Sequence, residues 1–193
     1  MLLLGVGSLA LAQGISLGLK GGVNMSNIVG SGYSGTKLNT GFSAGGYLTL
    51  SLLPSFAIQP EIYYTQKGWK ESGTLFGSAY EGKSRLNYLE IPVLAKFSFG
   101  VLVKPYFVAG PAFATLLSAP AEVTIGGTTV TGDIDGVLKK SDLGLVLGAG
   151  VTTPIKLSLE ARYTLGLSSI DDSGLDVTMK NSNISLLVGY SLF

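Results

Sequence analysis

The stretch 155–167 limits what this chain can fold into more than any other. Its odd positions (Ile155, Leu157, Leu159, Ala161, Tyr163, Leu165, Leu167) are apolar, while Lys156, Ser158, Glu160, Arg162 and Thr164 between them are polar. A period of two belongs to a β-strand, whose successive side chains leave opposite faces of the backbone. A half-buried strand in a soluble sheet shares the pattern. A strand this long, with charges on its polar face, is better placed with the apolar face against lipid and the polar face inside a closed barrel.

Composition supports the lipid reading. Charged residues make up 13% of the chain and hydrophobic ones 46%, where about a quarter charged is usual for a soluble domain. No window supplies the ~20 consecutive apolar residues of a membrane-spanning helix, so the apolar residues are spread along strands instead. The 28 glycines are about twice the average share and suit curved strands and turns. The length of 193 residues fits one barrel domain.

At a net charge of +1 there is no reason to expect nucleic acid as a partner. Cysteine and histidine are both absent. That removes disulfides, thiolate metal sites, a cysteine nucleophile, and the commonest neutral-pH acid/base and metal ligand.

Residues 1–12 read as a secretory leader: an apolar run from Leu2 to Leu11, then Ala10-Leu11-Ala12 as a small-x-small cleavage signal. No Lys or Arg precedes the run, and the alternative is a buried first strand or short helix. The expected division is a leader over 1–12, cleaved after Ala12, and a barrel over 13–193.

Eight segments carry the alternation, at about 15–26, 40–52, 56–69, 85–99, 102–117, 141–152, 155–167 and 181–193. The connections 27–39, 70–84, 118–140 and 168–180 are long, and those around Pro54, Gly100 and Pro154 are short. The pattern predicts an all-β, eight-stranded antiparallel up-and-down transmembrane barrel with short periplasmic turns and four longer extracellular loops. Gly126-Gly127, between Val123-Thr124-Ile125 and Thr128-Thr129-Val130, predicts a two-residue hairpin inside the longest loop. Gly110-Pro111 predicts a bulge or bend in the fifth strand. Phe56, Phe97, Phe99, Tyr106, Phe107 and Tyr190 form one expected interfacial belt, and Phe42, Tyr64, Trp69 and Tyr88 the other.

The inward face is expected to collect Lys20, Glu61, Lys67, Glu90, Lys96, Glu160 and Arg162, with Asp142 near a rim. Eight strands enclose a space just wide enough for side chains to fill, and unpaired buried charges are expensive. The expected arrangement is a structural plug of ion pairs. The competing one is a narrow ion pathway, or an acid/base pair on Glu61, Glu90 or Glu160. Serines have no histidine to activate them, and Asp133-Ile134-Asp135-Gly136 and Asp171-Asp172 do not supply the spaced ligands of a calcium loop. No catalytic residue, cofactor or metal is expected.

Several segments carry a family resemblance. Leu17-Gly18-Leu19-Lys20-Gly21-Gly22-Val23-Asn24-Met25-Ser26, Gln59-Pro60-Glu61-Ile62-Tyr63-Tyr64-Thr65-Gln66-Lys67-Gly68, Tyr88-Leu89-Glu90-Ile91-Pro92 and Ala109-Gly110-Pro111 resemble the PorT-like outer-membrane β-barrel family common in Bacteroidetes. The resemblance spans nearly the whole chain after the leader. It implies an outer-membrane barrel and carries little about activity. Together with the missing catalytic residues, the expectation is a monomeric, non-enzymatic barrel in outer-membrane lipid, whose external loops or periplasmic turns are where other envelope proteins would meet it. A role as accessory to a secretion or gliding machine is a further implication. A small pore and a soluble lipocalin-type barrel are the competing readings.

Overall fold

The computed structural model describes residues 14–30, 37–75, 78–172 and 178–192. The expected leader and the terminal Phe193 lie outside the described residues. The strands are β1 (Ile15–Val29), β2 (Lys37–Leu53), β3 (Phe56–Leu75), β4 (Ser78–Ser98), β5 (Lys104–Ser118), β6 (Pro120–Ile125), β7 (Thr128–Asp133), β8 (Ser141–Thr152), β9 (Leu157–Gly166) and β10 (Lys180–Ser191), with one 3-10 turn at Asp135–Val137.

Eight of these strands close a ring. Neighbours pair in the order β3-β2-β1-β10-β9-β8-β5-β4, and a β3–β4 pairing joins the ends. Every ladder is antiparallel, for example Val23↔Leu186 between the first and last strands. Closure leaves no unpaired edge within the ring, as backbone in hydrocarbon requires. The apolar residues of the alternating pattern point outward and are uncovered: Leu19, Ile62, Leu147, Leu159 and Leu186 all lie on this bare surface. Their polar neighbours are buried inside, among them Lys20, Asn24, Glu61, Glu160 and Arg162.

One end of the ring has tight turns and the other has long connections. The 70–84 excursion is not a loop. β3 and β4 continue as a paired hairpin from Trp69↔Ser84 to Leu75↔Ser78, and β6 adds to β4 through Tyr80↔Ile125 and Ser84↔Ala121. With β7 paired to β6, a four-stranded sheet rises above the ring. Its β6–β7 turn is Gly126-Gly127, with φ of 55° and 87°, as a type I′ turn demands at both positions.

Three further expectations need correction. Gly110-Pro111 makes no bulge. β5 keeps one register against β4 from Pro92↔Ala112 to Ala95↔Ala109, and the shift occurs instead at Asn87/Tyr88. Gly110 allows this because a Cβ there would meet the Val93 carbonyl oxygen at 2.1 Å. Ile155 and Lys156 belong to the turn before β9, where Lys156 has a φ of 64° and its N–H donates to Thr153 O at 3.1 Å. Finally, Tyr106, Tyr88 and Trp69 are turned inward and buried, whereas Phe42, Tyr64, Phe97, Phe99, Phe107 and Tyr190 stay on the outer surface. The parity of the strand, not ring chemistry, decides each facing.

Candidate functional site

The lumen contains two charged clusters stacked along the barrel axis. The first joins β1, β3 and β9. Arg162 grips Glu61 through two bonds, Nη1 to Oε2 at 2.5 Å and Nη2 to Oε1 at 2.7 Å, and its Nε donates to Glu160. Lys20 Nζ lies 3.2 Å from Glu61 Oε1 and 3.0 Å from Glu160 Oε2. Two acids and two bases thus balance, with all four side chains at most 5% exposed. Gln59 Nε2 donates to Glu61 at 2.6 Å and the Tyr106 hydroxyl to Glu160 at 2.8 Å. Pairing and hydrogen bonds offset the desolvation cost of these buried charges, which a single unpaired charge would carry uncompensated.

The wall makes room for this cluster with glycine. A Cβ on Gly18 would overlap the Tyr47 ring at 2.3 Å, and one on Gly150 the Tyr106 ring at 2.5 Å. The rings in turn hold cations: Lys20 lies 5.0 Å from the Tyr47 centroid and Arg162 5.7 Å from that of Tyr63.

The second cluster sits toward the long-loop end. Lys67 Nζ is 2.6 Å from Glu90 Oε2 and 5.3 Å from the Tyr88 ring centroid. Asp142 accepts from Asn181 Nδ2 at 2.7 Å and from the Ser168 hydroxyl at 3.0 Å. Between the clusters is a gap of about 10 Å³ beside Tyr63, Glu90 and Asn183, room for about one water. Above them Ile28, Trp69, Leu86, Tyr88, Leu116, Leu138, Ile170 and Met179 form an apolar core. Leu138 and Ile170 come from the long connections, which fold over the mouth and bridge at Leu138↔Asp171.

Six of the seven lumen charges read from the sequence are therefore in ion pairs: Lys20, Glu61, Lys67, Glu90, Glu160 and Arg162. Lys96 departs from the expected pairing. Its Nζ donates to Gln59 Oε1 at 3.1 Å and stacks on Tyr106, 4.2 Å from the ring centroid. Strand parity fixes that Lys96 faces inward. Its depth, below the acids, follows from the stagger of the ring. Gln59, Tyr106, Tyr88 and Asn181 complete the network. Gln59 and Asn181 follow inward parity but carry no charge to mark them in the sequence, whereas Tyr106 and Tyr88, expected in the interfacial belts, are turned inward by the same parity.

Two serine spacings associated with hydrolases do occur, Gly41-Phe42-Ser43-Ala44-Gly45 and Ser34-Gly35-Thr36-Lys37. The first lies inside β2 rather than at a strand-to-helix turn. Its Ser43 accepts from Asn24 at 2.8 Å and donates to Thr65 at 3.0 Å. Ser34 lies outside the described residues.

A closed ring with a bare apolar belt and a charge-paired lumen defines an integral β-barrel of the outer membrane. The chain belongs to the outer membrane protein beta-barrel domain family, whose model matches residues 11–172. Solved structures similar to it include Ail, the attachment invasion locus protein of Yersinia pestis, at 17% identity over 92% of this chain and 98% of that one, TM-score 0.47. Neisserial surface protein A is similar at 17% identity over 92% and 99%, TM-score 0.47. OprG of Pseudomonas aeruginosa is similar at 12% identity over 94% and 97%, TM-score 0.48. No curated protein matches the sequence significantly. In this family setting the tight turns face the periplasm and the long connections face outward.

Proposed function

We propose that this outer-membrane barrel is a non-catalytic monomer that acts by binding through the sheet raised above its outer rim. The observation that carries this reading is the four-stranded extension of β3, β4, β6 and β7, whose outermost strand β7 is exposed at every residue. A free strand edge is a ready template for another chain. The lumen supports the same assignment, because ion pairs and an apolar cap occupy the space a substrate or ion stream would need. The test replaces 72–81 and 121–132 with short turns. The trimmed protein keeps its heat-modifiable migration on gels and loses surface cross-links to its binding partner. Unchanged cross-links overturn the reading.

A second reading, a PorT-like accessory of a Bacteroidetes secretion or gliding machine, is supported by the motifs of β1, β3, β4 and β5. Co-purification of periplasmic or outer-membrane machine components with the full-length barrel, and with the trimmed one equally, favours it. Residues 1–12 serve in either case as the export leader. Sequencing the mature N-terminus is expected to begin at Gln13.

A further inference from the structure

The two ends of the barrel differ in charge in a way the ion pairs do not absorb. The described part of the outer end carries Glu71, Glu81, Glu122, Asp133, Asp135, Asp171 and Asp172 among its basic residues. The periplasmic end carries Lys96, Lys104 and Lys156, and among the described residues there it has no side-chain carboxylate. That end also opens into a cavity of about 200 Å³ that reaches down to Lys20 and Lys96.

The cavity wall is built by strand parity. Inward positions at the lower ends of seven wall strands present hydroxyls or ammoniums. Ser16, Thr49, Ser98, Thr152, Ser158 and Ser191 form the hydroxyl ring, and Lys104 stands at the rim opposite Thr152. Lys20, deepest of the three cations, is neutralised by Glu61 and Glu160. Lys96 is not: its fixed partners are an amide oxygen and an aromatic ring. An interfacial lysine commonly snorkels along the lipid face, but Lys96 faces the interior between Gln59 and Tyr106, so it serves no lipid contact. A cavity with low-dielectric walls and one sign of charge concentrates counter-ions. Ammoniums among hydroxyl donors match the several acceptor oxygens of a phosphate.

We propose that the periplasmic funnel is a binding site for a phosphate-type oxyanion, held by Lys96 and Lys104 and oriented by the serine and threonine hydroxyls around them. The outer cap and the ion pairs close the funnel above, so the anion enters and leaves from the periplasm. It does not cross the membrane.

The experiment titrates inorganic phosphate into the full barrel, folded in an uncharged maltoside detergent, with binding read by calorimetry and by broadening of the 31P resonance. Saturable binding at one site is expected. Lys96→Gln weakens it about tenfold or more, Lys104→Gln weakens it less, and Lys83→Gln on the outer hairpin leaves it unchanged. Each variant is first shown to keep heat-modifiable migration. Repeating the titration in nanodiscs separates the sources of the anion. If phosphatidylglycerol discs weaken the apparent phosphate affinity relative to uncharged glycolipid discs, a lipid headgroup fills the site. Equal affinities indicate a soluble periplasmic phosphate compound. Absence of saturable binding, or equal binding by Lys96→Gln and the parent protein, overturns the proposal.

Discussion

Strand β4 crosses two regions that solve the same problem in opposite ways. In its lower half Phe97, Val93, Ile91 and Leu89 point outward and are exposed, while Glu90 points inward and is buried. In its upper half the outward positions are Arg85, Lys83 and Glu81, and the inward ones include Leu86 and Tyr88, which are fully buried. The backbone is continuous and the parity unbroken, yet the outward face changes from apolar to charged. The inward face is mixed on both sides of Asn87: Leu94 joins Tyr106, Val108, Ala112 and Val146 in a buried apolar cluster beside the ion pairs, and Leu86 and Tyr88 join the apolar core beneath the long connections. Below Asn87 the outward surroundings are acyl chains, and above it they are water. The solvent, not the fold, sets whether the outward face is greasy.

Substitutions can break this comparison in a graded way. The largest effect is expected from Arg162→Met, which leaves Glu61 and Glu160 buried together without their shared guanidinium. Removing one partner of such a network costs about 3–5 kcal/mol, read as a lower urea midpoint for unfolding in detergent. Leu86→Ala in the outer core is expected to cost about 2–4 kcal/mol, through lost contact and a cavity. It should loosen the outer cap first, detected as protease cleavage near 134–140 before the barrel unfolds. Leu186→Lys, in the middle of the lipid belt, is expected to cost about 2–4 kcal/mol by placing an ammonium in hydrocarbon, read from folding yield into vesicles. Smallest of all is Arg85→Leu. This outward residue of the extension bonds Glu122 at 3.3 Å with both side chains about 40% exposed, and such pairs contribute well under about 1 kcal/mol. An equal penalty for Leu186→Lys and Arg85→Leu would erase the distinction between the two regions.

The lipid belt is legible in the sequence because Leu157, Leu159, Tyr163 and Leu165 alternate with Ser158, Glu160, Arg162 and Thr164, and the length of the run with charges on its polar face favours lipid outside and a closed interior over a soluble sheet. The extension is not. From Lys70 to Ser84 both faces carry polar and small residues, so a paired hairpin reads as a loop. Tyr88 and Trp69 read as interfacial aromatics because ring chemistry suits either the lipid boundary or a packed interior, and only their parity puts them inside, as it does Tyr106 and Leu94. Among the lumen residues, parity gave the facing of all seven charges but not their height. Height decides that Lys20 and Arg162 share Glu61 and Glu160 while Lys96 stands apart, and it depends on the stagger between strands distant in sequence. Lys156 departs from the alternation through one further device, a left-handed turn just short of β9.

The most direct test of the change in the outward face is a spin-label scan along the outward positions of β4, made simple by the absence of cysteine from the chain. Single cysteines replace Phe97, Val93, Ile91, Leu89, Asn87, Arg85, Lys83 and Glu81 in turn, and collision with oxygen is compared with collision with a water-soluble nickel chelate in vesicles. Oxygen should dominate through Leu89 and the chelate from Arg85 onward, with the crossover at Asn87. Chelate-dominated collision at Val93 and Ile91, or oxygen-dominated collision up to Glu81, would contradict it.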